Sequence, residues 1–288
     1  MSNESRVLSS VEAGSTSIAV KVRDFDLEAT LESGQVFGFR RNEDGAFEGV
    51  ISGCHVTLHQ QSGTLRVEAK GPNLGEVDVR FYFDLDRDLS PVYDILGREE
   101  PLCSLPYALE GLRVIRQDPW ESLAGFILSA NNNIKRVQGI WRNLSLEFSN
   151  GSFRFPSARD IAGTREIVLR RLGLGYRAPF LLDTARLIAA DPGTFHRLRD
   201  CRYDDAKLQL VHYPGVGAKI ADCVLLFGFQ KYEAFPLDVW VWRAMRKLYF
   251  RNRKVPKEKV RAFARTRWGG WAGYIQQYLY HGARKGLI

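Results

Sequence analysis

A chain of 288 residues with 45% hydrophobic content makes one large or two medium domains at roughly 100–200 residues each, and its apolar content excludes disorder over most of its length. Basic residues number 41 against 33 acidic ones, a net charge of +8 that favours a polyanionic partner, nucleic acid or an anionic membrane surface. Four scattered cysteines (Cys54, Cys103, Cys201, Cys223) form no C-x-x-C pair and five histidines no i, i+4 pair, which argues against a disulfide framework, a zinc or redox site and a metallohydrolase.

In chain order, Met1 to Gly14 is polar and acidic without the apolar stretch of a signal peptide, and residues 1–16 read as disordered. From Ser17 to about Glu68 the pattern has period two: Ile18, Val20 and Val22; Val36 to Arg40; Phe47 and Val50; Val56 and Leu58; Leu65 and Val67. Ser33-Gly34, Asp44-Gly45, Ser52-Gly53 and Ser62-Gly63 supply turns between them, so an antiparallel meander is predicted. Gly75–Phe83 alternates like a strand and suits a helix equally; both readings stay open.

Beyond about Ser90 the period becomes helical. Asp118-Pro119 is an N-cap followed by proline at the first helical position, and Trp120, Leu123, Ala124, Ile127 and Leu128 then share one face. Further helices are predicted over Ile167–Leu172, Pro179–Ala190, Asp204–Leu210, Ala218–Gly228 and Val239–Tyr249. A C-terminal one carries Trp268, Trp271, Tyr274, Ile275, Tyr278 and Leu279 along one side. The longest apolar stretches, such as Cys223–Phe229, fall far short of the roughly 20 residues that a bilayer span needs. The expected fold class is therefore α+β, with a β-rich domain over 17–105 and a larger α-helical domain over 106–288, in a reducing intracellular setting without membrane insertion.

His212-Tyr213-Pro214-Gly215-Val216-Gly217 joins two of these helices through a loop so short that they must form a hairpin. Glycines just before a helix start let the backbone approach a ligand and leave amide N–H groups unpaired, a site suited to phosphate at the positive end of the helix dipole. A bare Gly-x-Gly is more often only a tight turn. The helix on either side, and Lys219 on the otherwise apolar face of Ile220, Cys223, Val224 and Phe227, move the balance towards a phosphate grip. Downstream, Phe235-Pro236-Leu237-Asp238-Val239-Trp240 places Asp238 ahead of a helix. Aspartate there is commonly just an N-cap, worth roughly 1 kcal/mol. Beside Lys219 in a partly apolar pocket, it instead completes an amine nucleophile and a fixed anion, the pair that attack at a sugar anomeric carbon requires.

The run Tyr213-Pro214-Gly215-Val216-Gly217-Ala218-Lys219-Ile220-Ala221-Asp222-Cys223, followed by Pro236-Leu237-Asp238-Val239, resembles the helix-hairpin-helix (HhH-GPD) glycosylase superfamily. Ser33-Gly34-Gln35-Val36-Phe37, Arg116-Gln117-Asp118-Pro119, Asn131-Asn132-Asn133-Ile134 and Leu172-Gly173-Leu174-Gly175-Tyr176-Arg177-Ala178 extend the resemblance to its 8-oxoguanine DNA glycosylase/lyase branch. Motif order holds from about Asp24 to Arg284.

The resemblance implies a TBP-like antiparallel sheet packed on an all-α glycosylase domain, acting on double-stranded DNA containing 8-oxoguanine. Lys219 would displace the base and form a Schiff base with the sugar, Asp238 would stabilise the cationic sugar, and β-elimination would then nick the strand. Cys223 and Tyr280 would sandwich the extruded base, Gln276 would read its Watson–Crick edge, and the Gly34 carbonyl would accept the N7 proton that distinguishes 8-oxoguanine from guanine. Asn131 would fill the gap in the duplex with Tyr176 wedged beside it. Arg136 and Arg177 would contact the orphaned cytosine, and Gly215, Val216 and Gly217 would hold the backbone. No metal site or required cofactor is implied, and the cysteine spacing fits no iron–sulfur cluster; the hairpin leaves room for a monovalent cation bridging to DNA phosphate. A monomer is expected, in cytoplasm or nucleoid for a bacterial source and in the nucleus for a eukaryotic one.

Three positions depart from the usual pattern of the branch: Trp240 where many members carry histidine, Ala283 where they carry aspartate, and Tyr280 for phenylalanine. Two other readings compete: a related glycosylase for alkylated or mismatched bases, and a non-catalytic DNA-binding module, which has no need of Lys219 and Asp238 in a pocket. The run Arg251-Asn252-Arg253-Lys254-Val255-Pro256-Lys257 reads as a DNA-facing patch or, more commonly for such runs, a solvated loop.

Overall fold

The computed structural model describes residues 15–71, 74–148 and 154–288. Strands β1 (Ser15–Lys21), β2 (Arg40–Arg41), β3 (Phe47–Ile51), β4 (Cys54–Gln61) and β5 (Thr64–Lys70) form one antiparallel sheet in the order β1-β5-β4-β3-β2. The meander predicted from the period-two pattern is present from β2 to β5. It is joined at its far edge by β1, which pairs Ser15 with Lys70 and Lys21 with Thr64. Ser52-Gly53 and Ser62-Gly63 both take positive φ, the backbone of the two-residue hairpin turn that matches strand twist. Residues 1–14, expected to be disordered, lie outside the described residues.

Two features of this region were not legible. A helix, α1 (Leu27–Glu32), precedes the meander, capped by Asp26, whose carboxylate accepts from the Ala29 N–H at 2.7 Å. The strand expected over Val36 to Arg40 is a correction: only Arg40 and Arg41 pair with β3. Nor is the burial there period two, since Val36, Phe37 and Phe39 are all buried. Val36 and Phe39 pack into the core under the sheet, while Phe37 points the other way into the helical core, edge-on to Phe126 at 5.6 Å. A segment threaded between two cores is apolar at most positions without needing a ladder.

The open choice at Gly75–Phe83 resolves as helix α2 (Glu76–Tyr82). Of its four alternating apolar residues, Val79 and Phe83, four apart, are fully buried, whereas Val77 and Phe81 face solvent. Helices α3 (Ser90–Arg98) and α4 (Leu105–Ala108) follow. The helical region then runs α5 (Pro119–Ser129), α6 (Ile134–Phe148), α7 (Ala158–Ala162), α8 (Glu166–Leu169), α9 (Ala178–Ala190), α10 (Thr194–Asp200), α11 (Tyr203–Leu210), α12 (Ala218–Phe229), α13 (Val239–Tyr249), α14 (Lys257–Trp268) and α15 (Ala272–Lys285). The helix predicted over Ile167–Leu172 stops at Leu169 and unwinds into a wider turn through Leu174. The single C-terminal helix is likewise corrected. Gly269 turns the chain at φ +51 and a 3₁₀ turn over Gly269–Trp271 separates α14 from α15, because two successive glycines cannot sustain the helix.

Buried polar groups weld the two cores together. The Arg113 guanidinium, fully enclosed, donates to the backbone carbonyls of Asp24 (2.9 Å), Asp84 (2.5 Å), Arg87 (2.9 Å) and Arg23 (3.2 Å). The buried Asp84 carboxylate accepts from Arg87, Arg116 and the hydroxyls of Tyr232 (3.0 Å) and Tyr274 (3.2 Å). Pairing with several donors offsets the desolvation cost of such a charge. Among the described residues no helix is long and apolar enough to cross a membrane.

Candidate active site

Helix α5 begins as predicted, with the Asp118 carboxylate accepting from the N–H groups of Trp120 (2.8 Å) and Glu121 (3.0 Å). Its apolar face lies against α12, where Phe126 stacks on Phe227 at 5.4 Å. These two helices, the start of α13, the middle of α15 and the turn at Gly34 surround a cleft of about 570 Å³. Lys219, Asp238, Gly34, Cys223, Gln276, Tyr280, Asn131 and Gly217 all line it.

Lys219 enters the cleft from the second residue of α12. The hairpin that carries it is held by Thr184 Oγ1, which donates to the Pro214 carbonyl at 3.1 Å, and by Val216, buried as a plug. Gly215 has φ +78, and a Cβ there would sit 2.8 Å from Phe180, so only glycine fits. Gly217 caps α12 with extended backbone and no side chain to satisfy the helix's first amides. The first intrahelical bond is Ala221 N–H to Gly217 C=O at 2.9 Å, so the N–H groups just before it have no helical partner. The hairpin is braced from behind by Asp222, fully buried, which accepts from Tyr203 Oη (2.6 Å), Lys207 Nζ (2.8 Å) and Arg261 Nε (2.9 Å) and so ties α11, α12 and α14 together.

Within the cleft, Lys219 Nζ lies 5.2 Å from the centre of the Phe126 ring and 3.4 Å from Ser129 Oγ. Asp238 does cap α13, accepting from the Val241 N–H at 2.8 Å, and its other face borders the cleft. Burial raises its carboxyl above the ordinary aspartate value, opposed by the Val241 and Trp240 N–H groups and by the positive charges of Lys219 and Arg284. One side chain thus caps α13 and also borders the cleft that Lys219 enters. Burial also pushes the Cys223 thiol up to about 11 and the Tyr280 hydroxyl up to about 12, so both are neutral walls at neutral pH. Arg284 lies over the Tyr280 ring at 5.5 Å.

The turn at Gly34 is fixed from both sides. Gln35 donates to the carbonyls of Thr30 (2.9 Å) and Arg113 (2.7 Å) and accepts from the Ile115 N–H (2.9 Å), while Gln277 of α15 donates to the Ser33 carbonyl at 3.1 Å. Gly34 itself has φ +76, and a Cβ there would meet Ile134 at 2.9 Å and Tyr280 at 3.1 Å. Across the cleft, Gln276 is buried with its Oε1 unpartnered among the described residues, an acceptor held ready at a desolvation cost.

Not every expected residue reaches the cleft. Arg136 stands exposed on α6, and Tyr176, half exposed, lies outside with Arg177, which is buried and bonded to the backbone of Ala130 and Asn131. Two cleft residues escaped sequence reasoning. Phe126 and Ser129, three apart on α5, lie outside the predicted face of Trp120, Leu123, Ala124, Ile127 and Leu128, and nothing short of the α5–α12 packing reveals that they face the amine. Of the basic run, Lys257 lines the cleft at the start of α14, and Arg251 to Lys254 are exposed. Trp240 lies half exposed at the rim. Among the described residues no group of three or more His, Cys, Asp or Glu side chains is placed to hold a metal ion.

The sequence pattern of the 8-oxoguanine DNA glycosylase N-terminal domain matches residues 17–123, and that of the HhH-GPD superfamily base excision DNA repair proteins matches 124–269. The chain belongs to the 8-oxoguanine glycosylase branch of the HhH-GPD superfamily. It is 33% identical to a probable N-glycosylase/DNA lyase of Methanothermobacter thermautotrophicus, over 93% of this chain and 97% of that one. An N-glycosylase/DNA lyase of Arabidopsis thaliana is 28% identical, over 89% of this chain and 77% of its own. The Clostridium acetobutylicum 8-oxoguanine glycosylase/lyase, solved with double-stranded DNA containing cytosine opposite 8-oxoguanine, superposes with a TM-score of 0.86 at 30% identity, covering 95% and 99% of the two chains. The architecture the sequence resemblance implied, an antiparallel sheet on a helix-hairpin-helix domain, is the architecture of this family member.

Proposed function

We propose that this base excision repair glycosylase/lyase removes 8-oxoguanine from duplex DNA with Lys219 as nucleophile and Asp238 as electrostatic partner. The observation that carries the reading is a single cleft lined at once by Lys219, Asp238, Gly34, Cys223, Gln276 and Tyr280. A nucleotide extruded from the duplex would place its base between Cys223 and Tyr280, with the unpartnered Gln276 Oε1 accepting from its Watson–Crick edge. The Gly34 carbonyl, which accepts no hydrogen bond among the described residues, would take the N7–H of the oxidised base. Guanine presents a lone pair there and is rejected, since two acceptors face each other.

Once its ammonium has given a proton to water, the Lys219 amine attacks C1′. The C1′–N9 bond breaks with its electron pair leaving on the base, and the Asp238 carboxylate stabilises the positive charge that develops on the sugar. Loss of a proton from nitrogen and opening of the ring give a Schiff base. Removal of a C2′ proton expels the 3′ phosphate and nicks the strand. This chemistry asks for no cofactor, and the hairpin's outward N–H groups grip phosphate without reading sequence. A single chain contains every group used, consistent with action as a monomer.

The test is base release and borohydride trapping with 8-oxoguanine placed opposite each of the four bases. We expect base release and a covalent complex; a chain that releases the base without ever trapping has no lysine adduct, and one that does neither is not this enzyme. Gly34→Ala provides an independent check of the reading of N7. The added methyl strains a positive-φ residue and intrudes on Tyr280 and Ile134, so excision should fall on the order of a hundredfold while duplex binding persists. Full retention of excision would remove Gly34 from the base pocket.

A further inference from the structure

Between Asp238 and Glu258 the chain carries seven arginines and lysines and no acidic residue, which is all but one unit of the net charge of +8. Among the described residues none of the seven enters an ion pair, and Glu258 itself is engaged by Arg261 at 2.5 Å. Like charge gathered without counter-ions opposes folding through self-repulsion.

A solvated loop would let such charges drift apart, but this one is held. Arg246 commits its guanidinium to the backbone, donating from Nε to the Arg253 carbonyl (2.9 Å) and from Nη2 to the Asn252 carbonyl (2.5 Å), while the Asn252 N–H returns to the Arg246 carbonyl at 2.9 Å. Trp242 Nε1 donates to the Val255 carbonyl at 3.3 Å, and Phe250 packs edge-on against Phe263 at 5.2 Å. Arg251 and Asn252 both take left-handed backbone, φ +48 and +58, which an arginine adopts only when its surroundings fix it.

These bonds also set the direction of the charged ridge. Arg253 lies beside Arg246 and Val255 beside Trp242, so the chain returns along α13 towards its N-terminal end, where Val239, Trp240 and Lys257 line the cleft. The stretch of α13 from Val239 to Arg246 is about 10 Å long, the axial length of about three nucleotides on one strand. Arg251, Arg253 and Lys254 stand exposed at its far end, their side chains bonded to nothing among the described residues.

We propose that the α13–α14 loop is a second phosphate-binding surface for duplex DNA, gripping backbone phosphates to one side of the extruded nucleotide through Arg251, Arg253 and Lys254. A regularly spaced polyanion supplies the counter-charge that the loop lacks, and continuity with the cleft through Lys257 brings the same duplex within reach. Contact is to phosphate, so it carries no preference for sequence or lesion. It lengthens the footprint and leaves the chemistry untouched. This inference rests on the reading of the cleft as the seat of an extruded nucleotide.

The experiment is duplex binding titrated against salt, with Arg251→Ala, Arg253→Ala and Lys254→Ala combined in one variant, beside single-turnover release of 8-oxoguanine. Each lost phosphate contact removes roughly 0.9 from the slope of log K against log salt, so the slope should fall by about two to three and the affinity at low salt by about tenfold or more. The loss should be equal for intact and 8-oxoguanine duplexes, with release at saturating protein unchanged. Trimming the duplex close to the lesion on one side should abolish the difference between variant and wild type, and trimming on the other side should preserve it. An unchanged slope overturns the proposal, in favour of a solvated loop or, where phosphatidylserine vesicles capture the wild type and not the variant, of a membrane-facing one. A loss that survives trimming on either side also overturns it, since the field of the net charge alone then accounts for the effect. Lys254→Glu carries the test should the triple variant not fold, with a slope lower by about one or more. A wild-type chain that binds duplex with its full slope yet releases no 8-oxoguanine would instead overturn the functional reading, a failure distinct from any change of slope.

Discussion

Lys219→Gln should leave a folded, DNA-binding protein that neither releases 8-oxoguanine at a measurable rate nor traps with borohydride. The fold has little stake in the amine: among the described residues it makes the long contact to Ser129 Oγ at 3.4 Å and a contact to the Cys223 thiol, and glutamine preserves most of the stem that packs near Phe126. The chemistry depends on it wholly, since amide nitrogen is not a nucleophile towards C1′ and cannot form a Schiff base. Removing a nucleophile of this kind costs at least about a thousandfold, with residual rate coming from pocket and charge alone. Single-turnover release and covalent trapping on one duplex measure both losses. Trapping that survives in Lys219→Gln would move the nucleophile elsewhere.

Asp238→Asn separates the two duties of that residue. Asparagine caps a helix about as well as aspartate, so α13 should keep its N-terminal bond to the Val241 N–H. The folded carboxyl titrates above its unfolded value because burial penalises its charge. Between those two values the folded state holds the additional proton, so stability rises as pH falls through that window, and at neutral pH the ionised form is the costly one. Asparagine removes that cost, and the melting temperature should be unchanged or slightly higher. Base release, which needs the anion beside the developing sugar cation, should fall on the order of a hundredfold or more. The wild-type rate should also decline on acidification as the pH falls through the raised value of this carboxyl, a limb absent from Asp238→Asn. Loss of activity together with a collapse of stability would show the cap to be the whole of its role.

The hairpin was legible because its constraints are local. Gly215 and Gly217 meet backbone requirements set within a few residues, and Lys219 stands out on a face that is otherwise apolar. Val239–Tyr249 matched its predicted span because Asp238 announces its start. Failures arose wherever tertiary packing imitated or broke a local period. Val36 to Phe39 is apolar because two cores flank it, the series from Trp268 to Leu279 is interrupted by Gly269 and Gly270, and nothing in the sequence singles out Phe126 and Ser129 until α12 is laid beside them. Arg177 shows the same limit. Its motif marks it as important, and only the three bonds to Ala130 and Asn131 reveal what it holds.

The weld built from Arg113 and Asp84 joins two separately packed cores, and the cleft draws on both. Lys219 and Asp238, the proposed reacting groups, are mounted on the helical side, whereas Gly34 reaches the cleft from the sheet side, held by Gln35 and the backbone around Arg113. On the proposed reading, rate and fidelity are thereby assigned to different cores of one molecule. A change far from the cleft that lets the sheet drift should then leave the amine and carboxylate in register yet blur the distinction between damaged and intact guanine, so that weakening this distant weld is expected to cost discrimination before it costs rate.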